Sequence, residues 1–598
     1  MNANRQEVEA TDPGSLTETL VQPVENISKN MPGPAESPAN VAALRTGAGS
    51  INALIDLSCA QYSAQPAIGQ ALEQAISYGV LHKQILALAL RLRQAGVGPG
   101  SRVAIMGENS ANWVIAWLST VRLGAAVVPV FPETPAMDLR HMLNQAGCDT
   151  LFVTGKQLDK IYDLQHQLET LITLDNAQDP LGLLSPLAFD DFLQEGYGLL
   201  KSGNQDPFPE VGPDELACIL YTSGASGLPR AVMLSHANFC ANAQSASGLI
   251  ALAPGTVFVS VLPLSHAYEF TVGLLLPLLC GCRVAYVGRT PTPAIVQKIC
   301  SHERPQVVLV APLILEEIYK KRVMAQLENN RTMGFFCRFD SIRKLFFRKA
   351  GLRLMDFFGG RLRLLGIGGA ALNPEIERFL LQAGLPFVVG YGVSEASPLL
   401  AAGPVGDPGI APGSTGKAVR NVRLRIDNPD PETGIGEIQA QGPNIMQGYL
   451  NDPEATKAAL IEDGWLRTGD LGRLDEAGNL FICGRLNSVI VLASGENIYP
   501  EAIEHKLNAM PFVQESLVRE NMGILEALVY PDADWLDSRT RGDHRAKRQE
   551  YLNRLLNEMR REVNESLPIS SRINRVLVWP EPFSKTATHR IKRFLYTL

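Results

Sequence analysis

The chain has 598 residues, 46% of them hydrophobic, with 54 Lys+Arg against 61 Asp+Glu and a formal net charge of −7. So much apolar sequence can bury a large core, which excludes disorder throughout. The mild acidity excludes a general nucleic-acid binder, whose phosphate contacts need a basic surface.

Residues 1–48 are rich in Asn, Pro, Ala, Ser and Glu without apolar periodicity, so a disordered leader is expected there. No apolar h-region follows the first charges, so no secretory signal is expected. From Ile76 to Ala95 the apolar residues recur at helical spacing, and Gly96 to Gly100 stop the pattern. Arg102–Met106 reads as a buried strand, Trp113–Leu123 as a helix and Ala125–Val130 as a strand again. Such alternation, carried on to about residue 400, predicts βαβ units and a parallel sheet covered by helices. The run from Thr271 to Val287 is too short and too interrupted to cross a membrane, so a cytoplasmic protein is expected. Within it Cys280 and Cys282 suit a strand better than a zinc site, and the nine cysteines show no disulfide framework. After residue 412 the runs shorten to β-type segments with glycine turns, at Val422–Ile426, Gly436–Gln441 and Asn479–Cys483. Strands and helices alternate again from Gly484, ending in a long charged helix over 543–567.

One segment carries chemistry directly. The strand Leu216–Leu220 runs into Thr222, Ser223, Gly224, Ala225, Ser226, Gly227 and then Arg230. Backbone N–H groups freed by glycine, hydroxyl donors and a cation can together wrap a polyphosphate, although an ordinary Ser/Gly turn has the same composition.

The segment resembles the phosphate-binding loop of the adenylate-forming superfamily, and further motifs follow in that family's order. Leu262–Glu269 (LPLSHAYE) resembles its histidine segment with His266, and Gly368-Gly369-Ala370 its adenine-pocket glycines. Gly390–Glu395 (GYGVSE) resembles its aromatic–hydroxyl–acid motif, with Tyr391, Gly392, Ser394 and Glu395. Trp465–Asp470 is similar to its ribose segment, Gly484-Arg485 to its hinge, and Lys585–Arg593 to its catalytic-lysine motif. Leu262–Glu269, Ala311–Lys320, Val491–Glu504 and the final motif are most similar to long-chain fatty acyl-CoA synthetases.

The resemblance implies an α/β fold. A large N-terminal AMP-binding domain of mixed and parallel sheets covered by helices would span 49–483, with a β-rich subdomain at about 412–483. A small mobile α+β lid domain would span 484–598. It also implies a ligase that activates a fatty or related hydrophobic acid with ATP and Mg2+. The acyl group would then pass to CoA or to the phosphopantetheine of an acyl carrier protein. Thr222, Ser223 and Ser226 would hold the β- and γ-phosphates with Arg230, Glu395 and Thr222 the Mg2+, and Ser394 the α-phosphate. Tyr391 would stack on adenine, Asp470 and Arg485 would take the ribose hydroxyls, and His266 would gate or position the substrate. Gly495 and Glu496 would face the thiol.

The sequence departs from the family where the catalytic lysine should stand. Arg590 is there instead, keeping the charge but exchanging a compact ammonium for a planar fork. Arg230 also replaces a lysine, and Asn487-Ser488 replaces the hinge Lys-Asp pair. Two readings stay open: an acyl-adenylating ligase, with full or impaired activity, and a non-catalytic acyl- or nucleotide-binding homologue serving as scaffold or regulatory subunit.

Residues 320–363 hold 12 Lys/Arg and 3 acids with phenylalanines interleaved. They read either as surface helices turning Phe to the core or as a peripheral contact with an anionic membrane face.

Overall fold

The structure is a computed structural model and describes residues 49–203, 206–223, 229–324, 340–491, 497–541, 545–586 and 590–596. The expected leader, Gly495 and Glu496, and Gly224, Ser226 and Gly227 lie outside these residues.

The short apolar strands assemble as their unalternating composition demands. Ala126–Val130 and Leu364–Ile367 are buried at every position, because helices cover both faces of their sheets. One sheet runs in the order Gly448–Tyr449, Pro229–Ser235, Leu216–Ser223, Ala126–Val130, Arg102–Met106, Thr150–Val153, Thr170–Thr173, Leu187–Ala188. Its pairs from Leu216–Ser223 onward are parallel. A second sheet, largely parallel, runs Phe387–Val389, Leu364–Ile367, Val307–Val310, Val257–Ser260, Arg283–Tyr286, Pro66–Gln70, Ile76–Ser77. One core cluster joins Val103 and Val127 of the first sheet to Phe258 and Val284 of the second. The helix Ala111–Arg122 lies in this cluster, burying Trp113 and Trp117 completely, and Phe270 meets the Trp117 ring at 4.2 Å between centroids.

Local chemistry sets the helix starts. The helix expected from Ile76 begins at Tyr78 because the Ser77 hydroxyl caps it, accepting the Val80 N–H; Ser110 caps Ala111–Arg122 in the same way. The run around Cys280 is not a strand throughout. A π-helical turn, Glu269–Leu275, and a short helix, Leu276–Leu279, precede a turn at Gly281, and only Arg283–Tyr286 is strand. Gly281 takes a φ of +68°, and a Cβ there would meet the Tyr62 ring at 2.8 Å.

The β-rich part is a five-stranded sheet of Arg423–Asp427, Gly436–Gln441, Trp465–Leu474, Leu460–Ile461 and Leu480–Arg485, antiparallel in every pair. Beyond it the helix Pro500–Asn508, the strands Val513–Asn521, Ile524–Pro531 and Arg575–Val578, and the helix Arg545–Glu565 close around a core of their own, including Ile503, Val518, Leu556 and Met559. Contacts between this C-terminal part and the rest include the Lys320 ammonium, which donates to the Val513 carbonyl at 3.0 Å, and the Asn373 amide, which donates to the His505 carbonyl at 3.4 Å.

Candidate functional site

The polar segment expected as a loop is strand at both of its described ends, and residues 224–228 between them lie outside the described residues. Leu216–Ser223 and Pro229–Ser235 form an antiparallel hairpin that sets Thr222 opposite Arg230 and Ser223 opposite Pro229. The Arg230 guanidinium stands 5.5 Å from the Tyr449 ring centroid, and the Tyr449 hydroxyl donates to Glu395 Oε1 at 3.0 Å. Burial, then Glu395, raises the Tyr449 pKa, so the hydroxyl remains a donor. Tyr449, which sequence reasoning missed, thus ties the carboxylate of one motif to the hairpin of another.

Glu395 sits on the 3-10 turn Ser394–Ala396, with Ser394 beside it, both half-buried. Gly392 is needed at its entrance, since a Cβ there would lie 2.0 Å from the Pro398 carbonyl oxygen. At its exit, Ser397 adopts a left-handed φ of +67°, its hydroxyl donating to Asn444 O and its carbonyl accepting from Thr271 Oγ1. The side-chain amides of Asn242 and Asn444 both donate to the carbonyls of Ala396 and Leu399, at 2.8 to 3.3 Å. Two buried amides, one on the helix His236–Ala246 and one in a loop turn, therefore clamp the turn from positions distant in sequence.

The ribose-type segment meets the aromatic residue directly. The Tyr391 hydroxyl donates to Asp470 Oδ2 at 2.9 Å, and Arg485 Nε lies 3.4 Å from Asp470 Oδ1. Strand register places Asp470 opposite Arg485. Burial raises the Asp470 pKa, against the opposing effects of Arg485, the Tyr391 hydrogen bond and Arg590.

Arg590 arrives from the far end of the chain. Lys585 and Ile591 form an antiparallel bridge, and the Arg590 N–H donates to Thr586 Oγ1 at 3.2 Å. Residues 587–589 lie outside the described residues. The Arg590 side chain is open to water on one side and crowded by protein on the others. Burial and the neighbouring Arg485 cation lower its pKa to about 10, while Asp470, Glu395 and Glu501 stabilise its charge. His266 is within its electrostatic reach as well: burial, then Arg590, lowers the imidazole to about 4. Its Nδ1 accepts the Tyr268 N–H at 3.2 Å, which leaves the proton of the neutral ring on Nε2.

Tyr268 also accounts for the glycine strip. A Cβ on Gly366 would lie 2.8 Å from its hydroxyl, and one on Gly368 would lie 3.1 Å from its ring, so bare backbone makes room for the aromatic. Gly369 turns with a φ of +87°, and both it and Ala370 are exposed. Tyr391, Glu395, Asp470, Arg485, Arg590 and His266 are therefore brought together, with the glycine strip next to His266 through Tyr268.

This arrangement offers an acidic cluster faced by two guanidiniums beside a hydroxyl-bearing hairpin, which suits a phosphate-bearing anion. The chain is similar in sequence to known proteins. Residues 55–450 match the family model described as AMP-binding enzyme. The chain is 28% identical over 448 residues to 4-coumarate–CoA ligase 1 of Oryza sativa subsp. japonica, covering 72% of this chain and 73% of that protein. It is 28% identical over 495 residues to the long-chain-fatty-acid–CoA ligase of Escherichia coli O6:H1, covering 77% and 81%. Among solved structures, the adenylation domain of a carboxylate reductase from Mycobacterium chelonae aligns with a TM-score of 0.78 at 21% identity, covering 98% of this chain and 96% of that one. The anthranilate CoA ligase AuaEII in complex with anthranoyl-AMP aligns with a TM-score of 0.73 at 18% identity, covering 92% and 96%; at such identities the shared property is the fold. With two-thirds of its length inside the family model, the chain belongs to the AMP-binding enzyme family.

Proposed function

We propose that this chain is an ATP-dependent acid–thiol ligase that activates a fatty or related hydrophobic carboxylic acid. A carboxylate oxygen attacks the α-phosphorus of ATP, the bond to pyrophosphate breaks and acyl-AMP forms. A thiol, of CoA or of a carrier protein, then attacks the acyl carbonyl and releases AMP. The observation that carries this reading is the delivery of Arg590 to Glu395, Asp470 and Arg485.

With a pKa of about 10, Arg590 stays cationic at neutral pH and neutralises the charge shared by the carboxylate and the α-phosphate. Ser394 bonds the α-phosphate. Thr222, Ser223, Ser226, the amides of Gly224 and Gly227, and Arg230 hold the outer phosphates. Tyr391, Gly392, Gly368, Gly369 and Ala370 surround the adenine, while Asp470 and Arg485 take the ribose hydroxyls. His266, neutral with its proton on Nε2, gates the acid. Gly495 and Glu496 face the thiol after residues 484–598 turn as a lid. Thr222 and Glu395 supply oxygen donors only, the set that a hard cation takes, and the Tyr449 hydroxyl fixes the carboxylate for it. Mg2+ held there would neutralise polyphosphate charge. Relatives named for fatty acids include, besides the Escherichia coli ligase, fatty acyl-CoA synthetase A of Dictyostelium discoideum, 28% identical.

The test is ATP–pyrophosphate exchange with a panel of fatty acids and 4-coumarate, on the wild type and on Arg590→Lys and Arg590→Ala. Acid-dependent exchange in the wild type, lost in Arg590→Ala, is expected. No exchange in the wild type with recovery in Arg590→Lys overturns the reading that this protein adenylates its own substrate.

The same reading includes a peripheral membrane contact on the helix Asp340–Phe357. Phe347, Phe357 and Phe358 of this region are buried in the core, so they are not available to lipid. The outward side instead exposes Ile342, Leu345 and Leu352 beside Arg348 and Lys349. No helix among the described residues is long and apolar enough to cross a membrane.

A further inference from the structure

The C-terminal helix Pro500–Asn508 sends one acid back across the hinge. Glu501 Oε2 accepts the backbone N–H of Arg485 at 3.1 Å, and a Cβ on Gly484 would lie 2.6 Å from that same oxygen. Arg485 belongs to the strand that pairs with Asp470, so the bond joins the C-terminal part to the β-rich sheet at the residue where the two meet. The hydrogen bond is charge-assisted and therefore among the stronger kinds.

The charges around it explain what it does. Arg485 and Arg590 are close enough to repel, and each of Asp470, Glu395 and Glu501 favours the Arg590 cation. Glu501 and Arg590 both lie beyond the hinge and Asp470 and Glu395 before it, while Arg485 stands at the hinge itself, on the strand that pairs with Asp470. A turn of the C-terminal part would withdraw Glu501 and Arg590 together. Without the Glu501 charge, the incoming Arg590 would meet Arg485 with less compensation. The hinge itself supplies no such charge pair, because Asn487 and Ser488 are neutral.

We infer that Glu501 is a positioning residue that latches the C-terminal part in the orientation that places Arg590 in the site. The inference rests on the ligase reading above and adds to it the device that selects the first half-reaction. The latch holds for acyl-AMP formation and releases for transfer to the thiol.

Two variants separate its parts. Glu501→Gln keeps an oxygen to accept the Arg485 N–H but removes the charge; Glu501→Ala removes both. ATP–pyrophosphate exchange is compared with thioester formation from the chemically synthesised adenylate of whichever acid supports exchange, with CoA as the thiol. Exchange should fall about tenfold or more in Glu501→Ala, and less in Glu501→Gln, a coupling of ordinary size. Thioester formation should be unchanged or faster, which also shows that the variants are folded. Hydrogen exchange gives a readout apart from activity: the Arg485 amide should exchange faster in Glu501→Ala than in the wild type or Glu501→Gln. Equal loss of both half-reactions, unchanged exchange activity in both variants, or an Arg485 amide equally fast in all three overturns the latch alone. Absence of wild-type exchange with every acid overturns the ligase reading and the latch with it.

Discussion

Glu269 is a single residue whose environment opposes its usual chemistry. It is 1% exposed, on the first turn of the π-helical segment, and its carboxyl oxygens make no hydrogen bond of ordinary geometry to the described residues. Burial pushes the carboxyl from an ordinary 4.5 up to about 8, with only the Ser260 hydroxyl acting the other way. Tyr268 and Tyr286 face it, and Gly273 leaves it room: a Cβ there would lie 2.7 Å from the carboxyl carbon. In the folded state the group keeps a proton that the unfolded chain has already released. Stability therefore falls as pH rises from about 4.5 to about 8, and is level above that. Glu269→Gln carries no such loss. Its melting temperature should match the wild type at about pH 4 and exceed it at about pH 8.5, on the order of a few degrees. A gap that fails to widen with pH would contradict the assignment. His266 shows the opposite case, an imidazole held neutral because burial and Arg590 both disfavour its cation.

At the scale of elements, the turn Ser394–Ala396 is the piece most dependent on distant support. Asn242 and Asn444 share the same two carbonyls, so replacing either leaves a buried acceptor with fewer donors. Asn444→Ala should cost about 1–3 kcal/mol in a denaturant titration. Pyrophosphate exchange should fall by more than the lost stability explains, since Glu395 loses its support. Equal retention of stability and exchange would show that the clamp is redundant. This element also marks where sequence reading stops. Gly436–Gln441 and Arg102–Met106 are legible to the residue, because glycine turns and unbroken apolar runs bound them. Gly392 and Glu395 stand out only through the resemblance of their segment to a family motif. Asn242, Asn444 and Tyr449 do not, because an ordinary polar residue acquires meaning only from a partner tens to hundreds of positions away. Thr222 and Ser223 read as loop for a related reason: their strand character comes from pairing with Arg230 and Pro229, which the polar composition conceals. The π-helical turn hides because Glu269, Thr271 and Gly273 break up its apolar residues without setting a period of their own.

Across the whole molecule, a net charge of −7 coexists with a helix, Asp340–Phe357, whose outward side is basic and partly apolar. If that side meets lipid, the protein should sediment with vesicles of anionic phospholipid and be released by added salt. Leu345→Asp with Lys349→Glu should weaken sedimentation while exchange activity is kept; wild-type protein that ignores anionic vesicles at low salt would reject the contact. The other long-range feature is the pair of guanidiniums, Arg485 and Arg590, that come together across the hinge. In the ligase proposed above, their mutual repulsion would make the nucleotide more than a substrate. Bound as proposed above, ATP would set its polyphosphate charge near both cations, the α-phosphate beside Arg590 and the ribose beside Arg485. Once pyrophosphate departs, the acyl-adenylate retains only a small part of that negative charge, and the two cations again push apart. On this reading the molecule needs no separate signal to begin its second step, because the count of phosphate charges in the site is itself the clock.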